Sequence, residues 1–147
     1  MSAKLYVVAT PLGNLEDISQ RAVNTLKEVS CIASEDTRHT QALLQHYGIS
    51  NQCVAYHAFN EKKQLKPFLD KLQSGQSIAL VSDAGTPLVS DPGFYLIQAA
   101  HEAGIEVVAL PGPCAAITAL SALAIQEGPF HFEGFLPAKK SQRLKRL

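Results

Sequence analysis

The sequence predicts an α/β domain: a mostly parallel sheet of five or six strands flanked by helices. Three observations carry that expectation. Short apolar runs alternate with longer amphipathic ones along the chain. The alternation has the spacing of strand–helix–strand units, which favour parallel sheets. Gly, Pro and small polar residues gather just after the short runs, where such sheets bind their ligands.

The elements follow in order. Leu5–Ala9 reads as the first strand. Ile18–Val29 carries Ala22, Val23, Leu26 and Val29 at helical spacing. Cys31–Ala33 is a second short strand. Thr37–Tyr47 reads as a helix, with Thr37 as its N-cap and Gly48 as its stop. Cys53–Tyr56 is a third strand. Asn60 then caps a helix that carries Leu65, Phe68, Leu69 and Leu72 and closes at Gly75. Ile78–Val81 is the fourth strand, Pro92–Ala103 a helix ended by Gly104, and Glu106–Leu110 the fifth strand. Pro113–Ile125 is an Ala- and Leu-rich helix, and Phe130–Phe135 a candidate sixth strand.

A chain of 147 residues corresponds to one domain. With 46% hydrophobic and 18% charged residues it has a globular composition, which argues against disorder. The uncharged stretch Val107–Gln126 is interrupted by Pro111, Gly112 and Pro113, so it is not read as a membrane span, and no membrane partner is expected. The first residues lack a secretory h-region and cleavage site. Cys31, Cys53 and Cys114 are odd in number and lie in apolar surroundings, as thiols of a reducing cytoplasm do. No His, Cys or Asp cluster has metal-ligand spacing, and no metal is expected.

The formal net charge is zero, yet five of the last nine residues are basic: Lys139, Lys140, Arg143, Lys145 and Arg146. The preceding 138 residues hold eight basic against thirteen acidic residues, a net of −5. A basic end on an acidic body is compatible with a nucleic-acid arm. A solvated helix start, or a linker beginning near Pro137, explains it more simply.

Four segments after strands hold the chemistry. Thr10–Asn14 matches neither a dinucleotide-binding nor an NTP-binding glycine loop. Ser34–Arg38 sets Glu35, Asp36 and Arg38 side by side. Asp36 or Thr37 explains itself as a helix cap, whereas Arg38 suits phosphate or carboxylate recognition and a carboxylate can accept a proton. Ser82–Gly93 holds two Gly, two Pro, two Asp, two Ser and a Thr, with no basic residue. A phosphate cradle normally supplies Lys or Arg. This loop instead suits a cation with ribose hydroxyls, such as S-adenosylmethionine. In Leu110–Ile117, Gly112 permits either close ligand approach or tight packing of helix on sheet.

Taken together, Val8–Ile18, Ala33–Arg38, Ser82–Gly93 and Leu110–Pro113 resemble the tetrapyrrole methylase superfamily, and most nearly its ribosomal RNA branch. The resemblance covers the whole chain. It implies a class III S-adenosylmethionine-dependent methyltransferase, homodimeric and cytoplasmic, with its donor held between two α/β domains. Residues 1–136 would form the N-terminal domain. Residues 137–147 would be a basic linker, or the start of a C-terminal domain that this chain does not include. The donor contacts it implies fall on Pro11, Asp83, Ala84, Gly85, Thr86, Val89, Gly112, Cys114 and Ala115. Thr86 stands where the superfamily has Asp, and Cys114 where it has Thr, so contacts at those two positions run through backbone. The implied substrate is the 2′-hydroxyl of a cytidine in small-subunit ribosomal RNA, or in the assembled subunit. Glu35 or Asp36 is the candidate base, and Asn14 and Arg38 the RNA contacts. Asp91, where the tetrapyrrole branch has Arg, weighs against the alternative of a tetrapyrrole C-methyltransferase. For the 147 residues alone, a further alternative is an inactive binding or dimerisation module.

Overall fold

The computed structural model describes residues 3–123 and 128–146. The chain divides into two compact units, one up to Ala115 and one from Ala116 onward.

The first unit is a five-stranded parallel sheet between two helical layers. Its strands are β1 (Lys4–Val8), β2 (Cys31–Ser34), β3 (Cys53–Ala55), β4 (Ile78–Val81) and β5 (Glu106–Leu110), in the spatial order β3-β2-β4-β1-β5. β2 and β4 are buried at every residue. Strands covered on both faces are nearly continuous apolar runs, as Cys31–Ala33 and Ile78–Val81 are, and Ser34 is the one buried polar residue in β2 and β4.

Side chains alternate between faces with period two. Ile32, Ala79, Val81 and Val8 pack with α1 (Gln20–Glu28) and α2 (Thr37–His46) through Val23, Leu26, Leu43 and Leu44. Leu5, Cys31, Ala33, Ile78 and Leu80 pack on the other face, with α3 (Glu61–Gln73) and α4 (Phe94–Glu102), through Phe68, Leu72, Leu96 and Ala100. Tyr56 closes this second core, its ring edge-on to Phe68 at 5.6 Å between centroids.

Local chemistry sets the helix ends. A 3₁₀ turn, Leu15–Asp17, precedes α1. α1 therefore starts at Gln20 rather than Ile18, with the Ser19 hydroxyl accepting from Ala22 N at 3.1 Å. Asp36, and not Thr37, caps α2: its Oδ1 accepts from Arg38 N at 2.9 Å. Asn60 precedes α3 without capping it, because its side chain is spent on His57 N and the Ala55 carbonyl. α4 begins at Phe94, after Pro92 and Gly93, and not at Pro92. Gly48, Gly75 and Gly104 end α2, α3 and α4 with positive φ, as their sequence positions led one to expect. The thiols differ in burial: Cys31 is buried, whereas Cys53 and Cys114 are half-buried. Burial pushes the Cys31 and Cys53 thiols up, away from the reactive thiolate.

The last helix of the apolar kind, α5 (Ala115–Ala122), is shorter than Pro113–Ile125, and Ile125 lies outside the described residues. In the second unit α6 (Lys140–Leu144) is exposed throughout, and Arg146 and His131 both bond the Glu133 carboxylate. No sixth strand forms at Phe130–Phe135. Phe130, Phe132 and Phe135 are exposed, and no strand among the described residues pairs with the segment. An alternating pattern without a hydrogen-bonding neighbour leaves its backbone groups to water. Among the described residues, no helix is long and apolar enough to cross a membrane.

Phe68→Ala removes a fully buried ring from the second core. It is expected to destabilise the fold by about 3–5 kcal/mol. The check is a lower urea midpoint with an unchanged slope.

Candidate active site

The strand register sets the site. Ser34 lies level with both Val81 and Ala55, and Val8 level with Leu110. All five strands run the same way, so the residues that follow them emerge along one edge. They are Ala9–Asn14 after β1, Glu35–Asp36 after β2, Tyr56 after β3, Ser82–Gly93 after β4 and Pro111–Cys114 after β5. β4 is the central case. Its neighbours β2 and β1 lead to α2 and α1 on one face, while β4 leads to α4 on the other. Strands whose connections part to opposite faces open a crevice between them.

The long loop after β4 is tied to its neighbours on both sides. Thr10 and Gly85 exchange two backbone hydrogen bonds, each of 2.9 Å, and the Thr10 hydroxyl donates to the Ser82 carbonyl at 3.0 Å. Gly85 has φ +79, and a Cβ there would sit 3.0 Å from Leu12 Cδ2. The Thr86 hydroxyl donates to the Pro113 carbonyl at 2.9 Å. Its side chain is thus occupied in joining the β4 and β5 loops. Gly112 is explained by packing, since a Cβ would fall 2.7 Å from Ala9 Cβ. On the β2 side, Asp83 Oδ1 accepts from Asp36 N at 3.0 Å. Beyond Thr86 the loop is more open, with Leu88 and Val89 exposed and Leu88 at φ +76.

Two adjacent carboxylates have opposite electrostatics. Asp36 accepts from the Arg38 guanidinium at both oxygens, 3.2 Å from Nε and 2.8 Å from Nη2. The Arg38 side chain and backbone N–H hold the Asp36 carboxyl down to about 2. Glu35 is half-buried, and desolvation, then the charges of Asp83 and Asp91, push its carboxyl above the usual range. Asp91 is also raised, first by burial. Glu35, Asp83 and Asp91 therefore make a negative rim at the ends of β2 and β4. Among the described residues no group of three or more His, Cys, Asp or Glu is arranged to hold a metal.

A cleft of about 200 Å³ opens beside this rim. Thr10, Pro11, Gly13 and Leu15 line it from the first loop, His39, Thr40, Ala42 and Leu43 from α2, and Ser82 and Asp83 from the end of β4. Asn14 stands at the exposed tip of the first loop, its Oδ1 accepting from Glu16 N at 3.3 Å. Arg38 keeps a side chain 88% exposed despite its pairing with Asp36.

The edge thus gathers Pro11, Asn14, Glu35, Asp36, Arg38, Asp83, Ala84, Gly85, Thr86 and Gly112. Val89 lies further out on the loop, and Cys114 and Ala115 follow the β5 turn. Sequence reasoning passed over Thr10 and Ser82, whose bonds build the loop crossing, and the His39, Thr40 and Leu43 wall. For the wall the available signal is spacing, since His39 and Thr40 lie one helical turn after Asp36 and Leu43 two turns after it.

The family described as Tetrapyrrole (Corrin/Porphyrin) Methylases matches residues 4–145. The chain belongs to the tetrapyrrole methylase family. Relatives within it include Ribosomal RNA small subunit methyltransferase I of Escherichia coli O157:H7, 59% identical over 140 residues, covering 95% of this chain and 49% of that protein. The protein of the same name from Haemophilus influenzae is 57% identical over 143 residues, 97% of this chain and 50% of its own length. The chain spans about half the length of the curated relatives it matches. Two solved structures share the fold. Uroporphyrin-III-C-methyltransferase from Thermus thermophilus aligns with a TM-score of 0.63 at 22% identity, over 86% of this chain and 55% of that one. Diphthine synthase aligns with a TM-score of 0.64 at 18% identity, over 82% and 49%.

Because folding lowers the Asp36 pKa, its interaction with Arg38 is fully present above the ordinary value of 3.8 and fades as the pH falls toward 2. Arg38→Ala is expected to move the Asp36 midpoint from about 2 back toward 3.8, followed by carboxyl chemical shifts in an NMR titration. An unmoved midpoint rules out the guanidinium as the cause.

Proposed function

We propose that this chain is the N-terminal domain of an S-adenosylmethionine-dependent methyltransferase. Its substrate is the 2′-hydroxyl of a cytidine in small-subunit ribosomal RNA. The observation that carries the reading is sequence identity of 54–59% to proteins named Ribosomal RNA small subunit methyltransferase I, over 95–97% of this chain. Residues 1–136 form the domain in this reading, and the basic residues 137–147 lead toward a second domain. The whole enzyme is a cytoplasmic homodimer acting on the RNA or the assembled subunit.

The residues at the strand edge fit a cationic donor. The loop from Ser82 to Gly93 has no basic side chain, while Asp83, Glu35 and Asp91 supply negative charge beside it. Bound S-adenosylmethionine supplies a methyl carbon activated by a sulfonium. In this reading Pro11, Ala84, Gly85, Val89, Gly112, Cys114 and Ala115 hold it by shape and backbone, with Thr86 contributing its backbone and Asp83 its charge.

Methyl transfer to a ribose hydroxyl needs the oxygen in line with the carbon–sulfur bond and a group to take the proton. Of the two candidate carboxylates, Glu35 is the stronger base. Its proton affinity is raised by burial and by its acidic neighbours, whereas Asp36 is committed to Arg38 and to the start of α2. Arg38 remains exposed to meet a phosphate, and Asn14 reaches from the opposite loop. Specific RNA recognition favours unstacked bases, so the target is a splayed nucleotide.

Mass mapping of ribose methylation on small-subunit RNA, from cells with and without the gene, tests the substrate. Loss of one 2′-O-methylcytidine is expected. An unchanged map, or methyl transfer to uroporphyrinogen, refutes the reading. In the full-length enzyme Glu35→Gln is expected to slow single-turnover transfer by roughly 10²–10⁴-fold, and Asp36→Asn by much less. The wild-type rate falls on acidification through a midpoint above the ordinary glutamate value of 4.5, because the base works deprotonated. Full rates in both variants exclude a carboxylate base here.

A further inference from the structure

Glu61 lies off the strand-end loops, on the first turn of α3, and no step described above uses it. It is only 8% exposed, yet it carries a carboxylate. Its Oε1 accepts from Gly93 N at 2.6 Å, across 32 residues of sequence. Gly93 is the residue at which the long β4 loop ends and α4 begins, and α4 has no side-chain cap of its own. A carboxylate there satisfies an otherwise orphaned donor and meets the positive end of the helix dipole.

The backbone around this contact has little freedom. Gly93 has φ +135, and a Cβ would fall 2.7 Å from Leu80 Cδ2 and 2.9 Å from Leu88 Cδ2. Leu88 itself has φ +76, a conformation that persists in a leucine only where the surroundings enforce it. The other end of the loop is held by the Thr10–Gly85 pair and by Thr86 on Pro113. The exposed stretch with Val89 is therefore stretched between two anchors, and Glu61 is the side chain that makes the far one. Asn60 sets the brace. Its Oδ1 accepts from His57 N at 2.8 Å and its Nδ2 donates to the Ala55 carbonyl at 3.0 Å, which shapes the turn into α3.

We propose that Glu61 is a positioning residue for the methyl donor, acting through Gly93 to hold the loop from Pro87 to Pro92 in its donor-binding shape. This rests on the donor-binding reading of that loop given above. It acts on donor affinity and not on the chemical step, because Glu61 faces backbone inside the fold.

The test uses the full-length enzyme with small ribosomal subunits and S-adenosylmethionine. Glu61→Ala is expected to raise KM for the donor by about tenfold, the scale of one lost charge-assisted hydrogen bond, with kcat changed less than about threefold. Glu61→Gln keeps an acceptor for Gly93 N and is expected to return KM to near wild type. A merely structural role would instead lower the active fraction, so that apparent kcat falls at constant KM. That pattern, or an equal defect in Glu61→Gln, overturns the proposal. Should Glu61→Ala be insoluble, Glu61→Asp, one methylene too short, takes its place with the same outcomes. Equilibrium binding of S-adenosylmethionine keeps the two readings apart. A wild type that binds the donor but does not methylate subunits counts against the RNA substrate alone. Glu61→Ala must still weaken donor binding about tenfold there, and unchanged binding overturns the proposal.

Discussion

β4 is hydrogen-bonded on both sides, to β2 and to β1, and buried at all four residues. Its neighbours pass their chains to one face of the sheet, whereas its own chain leaves for the other. The long loop that follows it therefore cannot lie flat on either helical layer. It crosses the strand-end edge, and every neighbouring loop has to be built around it. The paired bonds of Thr10 and Gly85, the hydroxyl of Thr86 on Pro113 and the carboxylate of Asp83 on Asp36 N are three solutions to that one constraint. Each also satisfies backbone groups that would otherwise be stranded at strand or helix ends.

The same crossing explains the electrostatics. Asp83 and Asp91 arrive with the β4 loop, and Glu35 sits at the end of the adjacent strand, so three carboxylates share a partly desolvated rim. Asp36 is one residue away, yet it escapes, because α2 starts there and Arg38 folds back on it. Adjacent residues with the same functional group thus acquire opposite proton affinities from their surroundings. That division makes a base of one and a structural cap of the other in the function proposed.

Much of the fold could be read directly from the residues. The runs Cys31–Ala33 and Ile78–Val81 are apolar because both faces of their strands are covered, and no soluble exposed segment needs that pattern. Helix ends were legible only to within a residue or two. Asp36 and Thr37 are both good caps, and the choice depends on backbone geometry. Phe130–Phe135 shows where pattern misleads: alternation fits a strand, but a strand exists only with a partner, and the described residues offer none. Gly and Pro crowd the strand-end loops because the backbone there turns sharply and passes close to its neighbours, as at Gly85 with φ +79 and Gly112 against Ala9. Glu61 has no such local mark. An acidic residue in the first turn of a helix is ordinary, and nothing local says that it is buried against a glycine 32 residues on.

The sequence alone determined the alternation of strands and helices, the covered strands, the stops at Gly48, Gly75 and Gly104, and the four loops in which polar chemistry collects. Those depend on side-chain size, polarity and spacing, which are local. Only the tertiary structure decided which loops touch, which of Glu35 and Asp36 is paired, why Gly112 needs no side chain, and what Glu61 holds. Those depend on strand order and register, which bring distant segments to within hydrogen-bond reach.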